Sequence, residues 1–235
     1  MDLKMMWIGQ AGFIIKTKEG SFAVDPYCGV PPDGSRRLYD PVIPKGETEV
    51  DFVISTHSHW DHFDITTYRD YVIPKALIGP RSCIKMLNQS EIRNHVEGIE
   101  IDIRDSIKRR GFTVTAVYAN HDRDSIGAVV DCNGLSLYFS GDTLFDLRLL
   151  SIKNYKPDIM CVCINGKFGN MSYYEAAVLC SMVKPRLAIP THYDMIEHNT
   201  ENPRNFVNAL KNLDKDINVF VPEKGIEYDV SMLLK

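Results

Sequence analysis

Apolar residues along the first third of the chain fall into short runs of strand length. Leu3 to Ile8, Gly12 to Lys16 and Phe22 to Val24 read as β-strands, with Gly9-Gln10 and Glu19-Gly20 as the turns between them. The period is then lost from Tyr27 to Glu47, a stretch punctuated by Pro31, Pro32, Pro41 and Pro44. A loop of this length in a compact domain is usually a functional lid or disordered. The apolar anchors Tyr27, Leu38, Tyr39, Val42 and Ile43 favour a lid.

Beyond it, strands and helices intermix. Asp51 to Thr56, Ala76 to Ile78, Glu100 to Arg104, Gly111 to Tyr118, Ile126 to Asp131, Leu135 to Phe139, Asp158 to Ile164, Arg186 to Ile189 and Ile217 to Val221 are predicted strands. Cys132-Asn133-Gly134 joins two of them in a hairpin. Helices are predicted over Ile65 to Tyr71, Ser82 to Leu87, Tyr173 to Val183 and Pro203 to Leu213. Ser172 and Glu175 stand at capping-box spacing before the third. This mixture predicts an α/β (α+β) architecture of sheets covered by helices. With no linker, repeat or low-complexity tract in view, residues 1–235 read as one domain.

Composition excludes several classes. The chain is 44% apolar and 25% charged, an ordinary globular balance, and 27 basic against 31 acidic residues give −4. No global positive field is available, so no nucleic-acid partner is expected. No run is long enough to span a membrane, and no export signal is visible. Six cysteines spread through apolar surroundings lack the density of a disulfide scaffold, which predicts a reduced, cytoplasmic protein. Assembly into a homo-oligomer is left open.

The chemistry concentrates in His57-Ser58-His59-Trp60-Asp61-His62. Chance would give HxHxDH in roughly one of two thousand chains of this composition, so an accidental polar loop is a poor account of it. The motif leaves the end of the Val53-Ile54-Ser55 run, where a rigid scaffold displays functional groups. Three later runs end alike: Val114 to Tyr118 leads to His121, Leu135 to Phe139 to Gly141-Asp142, and Leu187 to Pro190 to His192. Each alone is compatible with a surface histidine or a turn aspartate; together they suit two divalent cations. A first ion takes His57, His59 and His121, a second takes Asp61, His62 and His192, and Asp142 bridges. Mixed imidazole and carboxylate donors predict zinc or manganese, with iron also suited, and argue against calcium or magnesium. Cys161 and Cys163 lack zinc-knuckle spacing and read as core. His95 reads as a surface residue, and His198 is kept as a pocket candidate.

This order of motifs resembles the metallo-β-lactamase superfamily, over Trp7 to about Glu223. The resemblance implies a four-layer αββα sandwich with a dinuclear site between its sheets. More narrowly, Trp7-Ile8-Gly9-Gln10-Ala11-Gly12-Phe13, Asp25-Pro26-Tyr27, Asn165 to Met171 and Pro190 to Met195 resemble the L-ascorbate-6-phosphate lactonase branch. Asp142 stands where zinc β-lactamases carry cysteine, so antibiotic hydrolysis is not expected. His59 stands where flavodiiron oxidoreductases carry glutamate, which argues against redox chemistry.

Two divalent ions outweigh two aspartates and a hydroxide, so the centre predicts a small anionic substrate. Metal-activated hydroxide and paired ions suit hydrolysis of a lactone or ester, a phosphorylated sugar lactone among them. Asp61 is the candidate catalytic residue, as ligand and orienter of the nucleophile. Tyr27, Arg36, Arg37, Lys167, Asn170 and Tyr193 are candidate substrate contacts, although basic residues in Gly/Pro-rich loops are ordinarily just solvated. A metal-dependent phosphodiesterase and a non-catalytic metal-binding module are the alternatives.

Overall fold

The computed structural model describes residues 3–234. Sixteen strands run in chain order: β1 (Lys4–Gly9), β2 (Gly12–Lys16), β3 (Ser21–Val24), β4 (Thr48–Val50), β5 (Phe52–Ile54), β6 (Val72–Pro74), β7 (Ala76–Gly79), β8 (Glu97–Glu100), β9 (Ser106–Arg109), β10 (Phe112–Tyr118), β11 (Ile126–Cys132), β12 (Leu135–Phe139), β13 (Ile159–Cys163), β14 (Leu187–Thr191), β15 (Asn218–Val219) and β16 (Glu227–Asp229). One seven-stranded sheet has the order β16-β1-β2-β3-β5-β7-β8 and the other β15-β14-β13-β12-β11-β10-β9, while β4 and β6 pair separately.

Alternation along the strands builds the layers. Phe13, Ile15, Phe22, Val24, Phe52 and Ile54 point one way, into a core shared with Phe112, Val114 and Phe139 of the second sheet. Phe22 is the knot of that core, with ring centroids 5.3 Å from Phe52 and 5.0 Å from Phe112. The alternate residues Ile14, Ala23, Val53 and Leu77 face the other way, onto Tyr68 of α1 (Ile65–Asp70) and Cys83, Ile84 and Leu87 of α2 (Arg81–Asn88). Against the second sheet pack α3 (Tyr173–Val183) and α4 (Pro203–Leu213), through Ala176, Leu179, Cys180, Phe206 and Leu210. The result is the expected αββα sandwich. A short α5 (Val230–Leu233) closes the chain. No described helix is long and apolar enough to cross a membrane.

Local chemistry explains the agreements. Ser172 accepts from the Glu175 N–H while Glu175 reaches back to the Ser172 N–H, completing the capping box of α3. Asn133 and Gly134 turn the β11–β12 hairpin with φ of 55° and 90°. All six cysteines are free and buried, Cys161 and Cys163 within β13.

The differences are equally local. The strand expected over Glu100 to Arg104 lies earlier, at β8, because Asp102 and Asp105 turn the backbone. The Asp102 carboxylate accepts from the Ile103 N–H, and that of Asp105 from the Asp102 N–H. Polar β9 forms an edge strand, turned into β10 by Arg110 and Gly111, both at positive φ. A 3-10 helix over Leu147–Tyr155, and the β4–β6 pair, carry too little periodicity to be foreseen. The Tyr27 to Glu47 segment is pinned: the Cys28 N–H donates to Thr67, and the Leu38 N–H to the Met195 carbonyl.

Candidate metal centre

The HxHxDH residues follow β5, whose parallel partners β3 and β7 hold it in the sheet interior. His121, Asp142 and His192 follow β10, β12 and β14 of the other sheet. The two sheets therefore deliver their donors to one shared edge. There the donor atoms form two groups, each within 4.8 Å: His57, His59, His121 and Asp142, and Asp61, His62 and His192. Asp142 spans the groups, with Oδ1 3.1 Å from both His62 Nε2 and His192 Nε2 and Oδ2 3.8 Å from His121 Nε2.

The outward nitrogen of each ring fixes its tautomer. The Gly169 carbonyl, 3.1 Å from His121 Nδ1, only accepts, so His121 Nδ1 carries the proton. Asp122 Oδ2 lies 2.9 Å from His59 Nε2 and accepts from the N–H there. The Thr56 hydroxyl donates to Asp25 at 2.6 Å, leaving its lone pair for His57 Nδ1–H at 3.1 Å. The inward atoms His57 Nε2, His59 Nδ1 and His121 Nε2 are then bare lone pairs. His59 Nδ1 sits 3.0 Å from the first and 3.2 Å from the last. Three lone pairs so close repel one another unless a cation lies among them, so the residues fit a metal ion.

In the second group, rings and carboxylates face one another: His192 Nε2 lies 3.4 Å from Asp61 Oδ2 and 3.1 Å from Asp142 Oδ1. Burial works against charge on His62, but the Asp142, Asp25 and Asp61 carboxylates outweigh it and hold that ring's pKa well above the ordinary value. In His192 burial is likewise overcome, chiefly by Asp142, and the pKa is pushed up to about 9. Burial would raise Asp61 and Asp142, yet the same two histidines hold both carboxyls below their usual range. His57, buried and beside His62, is pushed well below it and stays neutral. A divalent ion entering the second group displaces protons from a pre-formed cation site.

Two supporting residues, Asp25 and Gln10, come from outside the HxHxDH turn and the three later ligand sites, in the Asp25-Pro26-Tyr27 and Trp7-to-Phe13 segments. Asp25 is fully buried at a φ of 40° and accepts from the Thr56 N–H at 2.7 Å and from the Thr56 hydroxyl; its Oδ2 is 2.8 Å from His62 Nδ1. Gln10, also at positive φ, donates through Nε2 to Asp61 at 2.8 Å. Asp25 ends β3 just as the ligand residues end their own strands, a signal present in the sequence and not used for it.

Above the donors opens a cavity of about 200 Å³, whose walls include Trp60, Phe168, Ile196, His198 and Asn199 as well as His59, Asp61 and Asp142. The expected substrate contacts lie elsewhere. Arg37 donates to the carbonyls of Tyr39 at 2.8 Å, Gly29 at 3.0 Å and Tyr27 at 3.4 Å, bracing its own loop. Arg36 is exposed and pairs with Glu197 at 3.5 Å. Lys167 donates to the carbonyls of His198 and Thr200. Tyr27, Asn170 and Tyr193 are buried, Tyr193 stacked on Trp7 at 4.8 Å, and none of the six lines the cavity. His198 does, and His95 stays outside it.

Comparison with known proteins agrees with this architecture. A model of the beta-lactamase superfamily domain matches residues 4–192. A UPF0173 metal-dependent hydrolase of Archaeoglobus fulgidus is 28% identical over 244 aligned positions, covering 97% of this chain and 99% of the relative. A metallo hydrolase from the archaeon Ignicoccus hospitalis superposes with a TM-score of 0.75 at 19% identity, over 97% of this chain and 98% of its own. An isothiocyanate hydrolase from Delia radicum gut bacteria gives 0.73 at 18% identity, over 96% and 98%.

Proposed function

The chain belongs to the beta-lactamase superfamily, and on that premise we propose that it is a metal-dependent hydrolase opening a lactone or ester of a small molecule at a dinuclear centre. The observation that carries this reading is the set of bare nitrogens of His57, His59 and His121 facing one another beside the second donor group of Asp61, His62 and His192. The names of its UPF0173 relatives point the same way.

His57, His59 and His121 would hold one ion and Asp61, His62 and His192 the other, with the Asp142 carboxylate within reach of both groups. Bound zinc or manganese, or iron, supplies Lewis acidity toward the carbonyl oxygen and hydroxide at neutral pH. Asp61 stays ionised, fixed by the Gln10 amide, so it orients an attacking water by accepting a hydrogen bond. Asp25 and Asp122 hold His62 and His59 in their aim. A phosphorylated lactone is less well served than an unphosphorylated one, because Arg37 braces its own loop, Lys167 donates to the His198 and Thr200 carbonyls, and Arg36 is not among the residues lining the cavity. The anionic group drawn to the centre is then the carboxylate being formed.

The test is a panel of lactones, carboxylic esters and phosphodiesters, assayed with chelator-treated protein and after reloading with zinc or manganese. Metal-dependent turnover of a lactone or ester is expected, with kcat/KM rising with pH through one ionisation that moves when the metal is exchanged. Turnover of phosphodiesters alone would replace this reading with phosphodiesterase. No turnover with two ions bound would leave a metal-binding module.

A further inference from the structure

The walls of the cavity point to a particular chemistry. Among the described residues lining it there is no lysine or arginine, and the one charged rim residue outside the donor groups is Asp33. Lys167, next to the rim, has its ammonium on the His198 and Thr200 carbonyls. Outside the donor groups a phosphate or other fixed anion on the substrate would meet only the His198 imidazole and the Asn199 amide, and would face the Asp33 carboxylate.

What the rim does offer is flat apolar surface. Half-buried Trp60 leans on Tyr27, ring centroids 5.2 Å apart, and Phe168 meets His198 edge-on at 5.8 Å. Ile196, 1% exposed, also lines the cavity.

Phe168 carries the second, independent signal. It is 62% exposed and held at a φ of 53°, a conformation that bulky side chains avoid. Its loop is tightly bonded: the Gly166 N–H donates to the Met171 carbonyl at 2.9 Å, and the Met171 N–H to Thr143 at 2.7 Å. The Gly169 carbonyl of the same loop orients His121. The bonded turn thus holds an exposed aromatic ring at the mouth of the candidate site in a conformation that carries a steric cost.

Resting on the hydrolase reading, we propose that Trp60 and Phe168 form a specificity subsite that selects compact substrates bearing an uncharged planar or apolar group, and that disfavours phosphorylated ones. An apolar cavity of roughly 150 Å³ takes up benzene. The 200 Å³ here accommodates a single ring beside the scissile bond.

Two paired measurements on the metal-loaded protein test this. The first compares kcat/KM for dihydrocoumarin, an uncharged aromatic lactone, with that for 6-phosphogluconolactone. Dihydrocoumarin should be favoured about tenfold or more, and Phe168→Ala should raise its KM about 3- to 10-fold with kcat and metal content unchanged. The second needs no turnover. The chain has two tryptophans, and Trp7 is buried under Tyr193, so quenching of indole fluorescence by 3-phenylpropanoate reports on Trp60. Saturable quenching is expected, absent in Trp60→Phe and weakened about 3- to 10-fold in Phe168→Ala, with 6-phosphogluconate binding at least about tenfold more weakly. Quenching of this kind with no turnover of any lactone, ester or phosphodiester in the panel above would end the hydrolase reading and leave the subsite standing. A preference for the phosphorylated partner in either measurement, no quenching, or loss of metal as the sole effect of Phe168→Ala would overturn the subsite.

Discussion

Asp25 Oδ2 lies 2.8 Å from His62 Nδ1, and both side chains are buried, 0% exposed. The same carboxylate binds the N–H and hydroxyl of Thr56, whose oxygen in turn meets His57 Nδ1. One acidic residue thereby aims a histidine of each donor group. Asp25→Asn keeps the shape but removes one of the charges, after that of Asp142, that make the His62 ring basic. Metal affinity should fall about 10- to 100-fold, read by competition with a chromophoric chelator, while far-ultraviolet circular dichroism stays native. Unchanged affinity would reduce Asp25 to a packing residue.

Metal analysis of protein purified without chelator should approach two divalent ions per chain. Asp142→Ala removes the carboxylate that spans both groups and should lose much of one ion and loosen the other. Fewer than one ion in metal-replete protein would contradict a dinuclear centre.

Acidity should act oppositely on the ion-free and loaded forms. In the ion-free chain the His192 pKa rises from 6.5 to about 9, despite burial, because of Asp142 and Asp61. The stability this contributes is complete below pH about 6.5 and is lost as pH climbs through about 9. The Tm of chelator-treated protein should fall across that window, and His192→Gln should flatten the fall. The loaded protein should behave in reverse, gaining ions as pH rises because they compete with those protons. A Tm of the ion-free form that is level from pH 6.5 to 9 would refute the ion pairs as drawn.

Arg37 and Arg36 should part company in stability assays. Arg37→Ala strips three carbonyls of their donor and should cost about 1–3 kcal/mol in urea unfolding. Arg36→Ala, at an exposed pair with Glu197, should leave the midpoint in place. Equal effects would mean that the loop is not braced as described.

The donor residues were legible because strand ends are local signals. Apolar runs ending at His57, His121, Asp142 and His192 can be read without knowing which strands pair. The layers were legible for a similar reason, since the alternation of Phe13 and Ile15 against Ile14 depends on neighbours in sequence. What escaped depended on distant partners. Arg37 looks like a free cation until the carbonyls of Tyr27, Gly29 and Tyr39 fold around it. Trp60 and Phe168 are 108 positions apart, and nothing local marks them as two walls of one cavity. The strand at Ser106–Arg109 was invisible because an edge strand exposed to water needs no apolar face.

The division of donors between the two sheets governs when the centre can exist. Each group draws on the HxHxDH turn after β5 and on residues from the opposite sheet: His121 and Asp142 for one, His192 for the other. A nascent chain released as far as residue 120 holds two of the four donors of the first group and two of the three of the second, and completes neither. The second is finished only after β14 has docked beside β13. Metal capture thus reports that the two halves have met in register, and a mispaired intermediate during synthesis has no closed cage in which to sequester an ion.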